Sequence, residues 1–279
     1  MSEQTPTFEL SMPGPGDPIH FAFSSGGERD HIAVLVRAEG LASYEAPTPA
    51  IFAGLVSEMP DVVLDIGANT GIFTLLAAAA SPGVRVCAFE PLETARALLH
   101  ANIACNPGVE SRIAVEPIAL SRRRAVVPFF ETINDHGLVS TSSSLELDDA
   151  TQVGAYLRHE ITTETLDDWA GTFGQAPIRL MKIDVEGHEH AVIEGGRRTI
   201  GRYRPLVIVE ILGSADFAAL NWMLEENEYR DLALSPIALR QCPALRFHPD
   251  AWNHLLCPVE KLGLVVALCR RLELRLEAA

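Results

Sequence analysis

The chain has 279 residues, 48% hydrophobic and 21% charged, which excludes a disordered chain and suffices for one large domain with a sizeable core. A count of 22 basic against 37 acidic side chains gives a formal charge of −15. Phosphate backbones and anionic membranes are repelled by such a surface, and only the three arginines at 122–124 form a basic run, so neither nucleic acid nor a membrane is expected as a partner.

Residues 1–17, rich in Pro, Gly and polar side chains, predict a loose arm with neither the basic nor the apolar part of a leader peptide. Residues 18–59 predict an N-terminal extension. In it two alternating strands, PIHFAF and HIAVLVRA, form a β-hairpin through SSGGERD, followed by a helix over AIFAGLVSEM with Thr48 as N-cap and Pro49 at its first position. Between residues 60 and 235, short apolar runs such as VVLDIG, VRVCAFE, IRLMKID and PLVIVEIL alternate with helical stretches such as GIFTLLAAAA and TARALLHANIA. This pattern predicts an α/β fold, a doubly wound and mostly parallel sheet covered on both faces. At about 128–160 a polar stretch containing NDHGLVSTSSS interrupts the alternation and predicts an insertion over one end of the sheet. Residues 236–279 finish the same domain with a strand and a C-terminal helix whose apolar content predicts packing on the core or in a homodimer.

No apolar run approaches the roughly 20 residues that span a bilayer. The five cysteines (Cys87, Cys105, Cys242, Cys257, Cys269) show no disulfide or zinc-site spacing and predict reduced thiols. A soluble, cytoplasmic protein is expected.

The most informative segment is VVLDIGANTG, residues 62–71. An apolar strand ends in Asp65, turns through Gly67, Asn69, Thr70 and Gly71, and opens into a helix, so backbone N–H groups converge on a ligand at the carboxyl end of the sheet. The next strand ends in Glu90, placed to accept hydrogen bonds from both hydroxyls of a ribose. A dinucleotide loop has glycine where Asn69 stands, because a pyrophosphate must approach the backbone there. Asp65 suits an ammonium group better than a phosphate. A ribose with a zwitterionic tail fits, and the predicted cofactor is S-adenosylmethionine.

VLDIGANTG, the following FEP at 89–91, TLDDW at 165–169 and above all LMKIDVEGHE at 180–189 resemble the FkbM family of S-adenosylmethionine-dependent methyltransferases, from about residue 44 to about residue 212. The resemblance implies a Rossmann-like class I methyltransferase fold and methylation of a hydroxyl oxygen on a small molecule, of sugar or natural-product type. The pair Tyr44 and Glu45 resembles a family motif ahead of the core and is expected to close over the cofactor tail or to pack.

Methyl transfer to an alcohol needs a group that takes its proton. KIDVEGHE puts Lys182, Asp184, Glu186 and His188 at the end of a central strand, with Asp184 and His188, and Glu186 and His190, four apart at helical spacing. His188 is the preferred base, since an imidazole accepts and releases a proton near neutrality; Asp184 and His136 are the alternatives. Lys182, one of two lysines, is expected to hold the substrate oxygen or the carboxylates, or simply to pair with Glu186 or Glu210. Asn134, His136 and Glu210 are the candidate acceptor-binding residues. Asp184, Glu186, His188 and Glu210 also offer oxygen-rich ligands for a cation such as Mg²⁺, though no spacing demands a metal. Trp169, Trp222 and Trp252 are expected in the core.

Two other function classes fit these residues less well. A nicotinamide-dependent reductase of the short-chain type needs Lys four residues after Tyr, and positions 48, 160, 207 and 233 are Thr, Glu, Val and Ala. A non-catalytic cofactor-binding partner would have no use for the KIDVEGHE cluster.

Overall fold

The computed structural model describes residues 7–14, 16–27, 29–133, 143–145, 155–174 and 176–278. The chain begins with β1 (Thr7–Met12), β2 (Ile19–Ser24), α1 (His31–Glu39) and α2 (Thr48–Glu58). A βα alternation follows: β3 (Val62–Ile66), α3 (Ile72–Ala80), β4 (Arg85–Phe89), α4 (Glu93–Ala104) and β5 (Ile113–Glu116). Then come β6 (Ala119–Leu120), β7 (Ala125–Ile133), β8 (Ala155–Glu164) and α5 (Leu166–Phe173). The second half of the core is β9 (Ile178–Ile183), α6 (Glu189–Gly195), α7 (Arg197–Tyr203), β10 (Leu206–Glu210) and α8 (Phe217–Glu226). It closes with β11 (Tyr229–Ser235), β12 (Ala238–Cys242), β13 (Asn253–Pro258), α9 (Leu262–Arg271) and β14 (Arg275–Glu277).

Nine strands make one sheet in the order β14-β12-β11-β13-β10-β9-β3-β4-β5. From β5 to β10 all neighbours are parallel, whereas β13 runs antiparallel to both β10 and β11. Strand β3 is buried at every position, as a strand covered on both faces must be. One face carries α2 and α3, where Phe52 meets Phe73 edge-on at 5.2 Å; the other carries α5, where Phe89 meets Trp169 at 4.8 Å. From β3 the chain winds outward one way through β4 and β5 and the other way through β9 and β10. That reversal opens a crevice at the carboxyl ends of β3 and β9.

Five expectations are corrected. The N-terminal ribbon is β1 with β2, so part of the expected loose arm is a strand. HIAVLVRA is the helix α1: Asp30 caps it by accepting a hydrogen bond from the Ala33 N–H at 3.2 Å, and Ile32, Ala33 and Val36 bury one face. In α2 it is Pro47, not Thr48, that occupies the N-cap position. The C-terminal helix ends at Arg271, because Glu273 turns the chain with a left-handed φ of 57° and β14 then pairs with β12. Two strands, β12 and β13, precede that helix where one was expected.

The insertion is a long antiparallel ribbon of β7 and β8, pinned to the core where Ser144 pairs with Phe130 and donates its hydroxyl to the Glu186 carbonyl at 2.7 Å. Among the described residues no helix is long and apolar enough to cross a membrane, and all five cysteines are free.

Candidate active site

The crevice holds a cavity of about 320 Å³. At one end lies the glycine loop. Gly67 has φ 84°, and a Cβ there would collide with the Asp184 carbonyl oxygen, so only glycine lets β3 and β9 close up at this point. Its N–H and that of Ala68 both donate to the Phe89 carbonyl at 3.0 Å, which fastens the loop to the end of β4. Glu90 continues from that strand end. Its carboxylate accepts from the Asn69 N–H at 2.9 Å and the Leu92 N–H at 2.8 Å, and it faces the cavity while only 6% exposed. Burial pushes its pKa up to about 7, against the pull of those two donors. Asp65 is likewise raised to about 6 by burial, though the Thr74 hydroxyl donates to it at 2.5 Å.

At the other end Glu45, Lys182, Asp184, Glu186, Glu210 and Trp252 converge. Parallel pairing puts Lys182 beside Asp65 and Ile208, and Glu210 ends the next strand. Lys182 is 1% exposed and donates to Asp184 at 2.9 Å, with the Phe73 ring 5.0 Å away. Burial alone would lower its pKa, but Asp184, Glu45 and Glu210 outweigh burial and hold it above the usual lysine value. One ammonium does not neutralise four carboxylates. Burial first, then the neighbouring Asp184, drives the proton affinities of Glu186 and Glu210 upward. One carboxylate oxygen from each of Asp184, Glu186 and Glu210 lies within 4.8 Å of the others.

The backbone is strained where these groups are aimed. Glu45, Asn69 and Glu186 all have left-handed φ, at 48°, 48° and 54°, and all three line the cavity.

Of the predicted cofactor residues, Asp65, Gly67, Asn69 and Glu90 line the cavity. Thr70 and Gly71 lie beneath it: the Thr70 carbonyl accepts from the buried Asn102 amide at 2.8 Å, and Gly71 packs on Leu99. Lys182, Asp184, Glu186, His188 and Glu210 all reach it. The i, i+4 pairing does not form, because α6 starts only at Glu189 and residues 184–188 are a turn into which the Glu189 carboxylate reaches back, accepting from Val185 N–H and Gly187 N–H at 3.1 Å each. Lys182 pairs with Asp184 rather than with Glu186 or Glu210. His188 hydrogen-bonds through Nε2 with the Ser121 hydroxyl at 2.9 Å. Asn134 and His136 lie outside the described residues.

Trp169 is in the core at 7% exposure and Trp222 is partly buried, but Trp252 is 50% exposed at the cavity rim. A Trp followed by a buried strand gave no sign of this. Ser121, Thr74 and Asn253, which donates to Glu45 at 3.0 Å, were also missed, since their partners are far off in sequence or lie in another element.

A doubly wound sheet with a glycine loop, a strand-end acid beside it and a second, carboxylate-rich end in the same cavity defines an α/β protein of the class I methyltransferase type. Residues 65–231 match the family described as the methyltransferase FkbM domain, and the chain belongs to that family. It is 34% identical over 154 residues to the 31-O-demethyl-FK506 methyltransferase FkbM of Streptomyces tacrolimicus, covering 48% of this chain and 59% of that one. To the 2-O-methyltransferase NoeI of Sinorhizobium fredii it is 28% identical over 155 residues, covering 53% and 62%. A similarity of 28% over 257 residues links 80% of the chain to 11% of the AMB antimetabolite synthetase AmbE of Pseudomonas aeruginosa. The match therefore spans less than two thirds of each of these curated relatives.

Proposed function

We propose that the chain is an S-adenosylmethionine-dependent methyltransferase acting on a hydroxyl oxygen of a small molecule of sugar or natural-product type. The observation that carries this is that a single cavity joins the glycine loop and Glu90 to Asp184, Glu186 and Glu210. The names of two relatives, a 2-O-methyltransferase and a methyltransferase of 31-O-demethyl-FK506, support oxygen as the acceptor atom.

The residues present fit the cofactor. A carboxylate has about four acceptor directions, and Glu90 uses two on backbone N–H groups, which leaves two for a ribose diol. Buried Asp65 and the carboxylates beyond it suit a tail that carries an ammonium and a sulfonium. Once bound, the cofactor supplies a methyl group already activated on a sulfonium, with a neutral thioether to depart.

The work left to this chain is to hold the acceptor oxygen in line and to take its proton. Glu186 and Glu210 suit the second task. Burial, and after it the charge of Asp184, raises the proton affinity of both, and positive charge brought beside them favours ionisation, so they accept a proton in the loaded site. Lys182 holds Asp184 in place by donating a hydrogen bond to it, and Ser121 steadies His188 through another.

The same three carboxylates favour a second reading, in which a divalent cation assists. Their oxygen donors suit Mg²⁺, although Lys182 already supplies Asp184 with one positive charge. Methyl transfer from labelled S-adenosylmethionine to a panel of hydroxylated acceptors, with and without chelator, tests both. Turnover that survives the chelator removes the cation; absence of transfer with every acceptor, while the cofactor binds, counts against catalysis.

A further inference from the structure

The acceptor end of the cavity carries more information than its carboxylates. Trp252 stands at the rim with half its surface open, on the segment that leads into β13. Its backbone is locked, since the Trp252 carbonyl accepts from the Ile211 N–H at 2.7 Å, and its indole N–H donates to the Pro249 carbonyl at 3.2 Å. Phe247, 37% exposed, lies with its ring centre 6.4 Å from that of Trp252. A large aromatic face fixed at both its backbone and its polar atom, yet left open beside a cavity, is a preorganised stacking surface.

What stacks there is limited by the neighbours. Glu210 ends β10 immediately before Ile211, and Glu45, Asp184 and Glu186 share its end of the cavity. Carboxylates accept hydrogen bonds from several hydroxyls at once, while an aromatic face takes the C–H face of the same ring. Apart from His31 and His188, Lys182 is the only basic side chain lining the cavity among the described residues, and its ammonium is engaged by Asp184. No arginine is there to receive a phosphate, and the net charge of −15 adds to the repulsion. Trp252 and Glu45 also lie outside the matched segment 65–231, so this wall belongs to the chain's own flanking segments.

We propose that Trp252 is the stacking wall at the mouth of the acceptor subsite, and that this subsite takes an uncharged or amine-bearing polyhydroxylated ring and rejects phosphorylated or carboxylated ones. The inference rests on the methyl-transfer reading above and adds to it the charge class of the acceptor and the residue that seats it.

The test uses the full chain, Trp252→Ala and Trp252→Phe, with three probes of one scaffold: methyl α-glucoside, glucosamine and glucose 6-phosphate. Binding is followed calorimetrically, with and without S-adenosylhomocysteine. The expected result is saturable binding of the first two probes and at least tenfold weaker binding of the phosphate. Trp252→Ala should weaken probe binding at least tenfold and Trp252→Phe less than about threefold, with the affinity for S-adenosylhomocysteine unchanged in both. Equal binding of the phosphate, an unaffected Trp252→Ala, or binding of none of the probes overturns the proposal. If the wild-type chain binds the probes but not S-adenosylhomocysteine, the methyl-transfer reading falls while the platform stands.

Discussion

At the glycine-loop end of the cavity, Glu90 is fixed by two backbone donors and Asp65 by Thr74, all from elements that neighbour each other in the chain. On the side of Asp65 that meets Lys182, four carboxylates from three separate regions crowd that one buried lysine, and two of them sit on residues with left-handed φ. The first part holds its side chains by hydrogen bonds already made. The second sets four carboxylates against a single ammonium. A binding end gains from rigidity, and a reacting end gains from groups whose proton affinity shifts when the ligands enter.

The comparison breaks most visibly in turnover. Glu210→Gln keeps the shape but cannot take a proton, and should lower turnover about 10²- to 10⁴-fold while the affinity for S-adenosylhomocysteine holds. His188→Ala in the same assay should cost less; a larger loss there would move the base to the imidazole. Next comes the joint between the two ends. Gly67→Ala places a methyl group against the Asp184 carbonyl at an unfavourable φ, and should cost about 3 kcal/mol in denaturant unfolding. Glu90→Ala should weaken S-adenosylhomocysteine binding by about 1.5–3 kcal/mol, through lost hydrogen bonds to a charged acceptor, and leave acceptor binding alone.

A further effect is on pH. Asp65 and Glu90 bind protons more tightly folded than unfolded, at about 6 and 7 against ordinary values of 3.8 and 4.5. The folded state therefore holds extra protons between those values, and the unliganded chain loses stability as pH rises from about 4 to 7. A ribose prefers the ionised Glu90, so cofactor affinity should rise over the upper part of that range. Thermal melts across pH, with and without S-adenosylhomocysteine, should show the two trends diverging, and Glu90→Gln should flatten the second.

The glycine-loop end was legible because its parts are local: the strand, the turn and the acid at the next strand end follow from spacing alone. KIDVEGHE was placed correctly at a strand end, but the start of its helix was not, since Glu189 folds back on residues 185 and 187 and delays it. The sequence of α1 reads equally as a strand because a short apolar run suits either period, and the deciding feature is the Asp30 cap. Asn253 on Glu45, Ser121 on His188 and the open face of Trp252 depend on how distant segments meet, 208 residues apart in the first case. No local pattern encodes that.

The most direct measurement is calorimetric titration of the wild-type chain and Glu90→Ala with S-adenosylhomocysteine, with NAD run in parallel. The account predicts micromolar binding of S-adenosylhomocysteine to the wild type, weakened at least tenfold by Glu90→Ala, and no binding of NAD. Binding of NAD alone, or equal binding of S-adenosylhomocysteine to both chains, would contradict it.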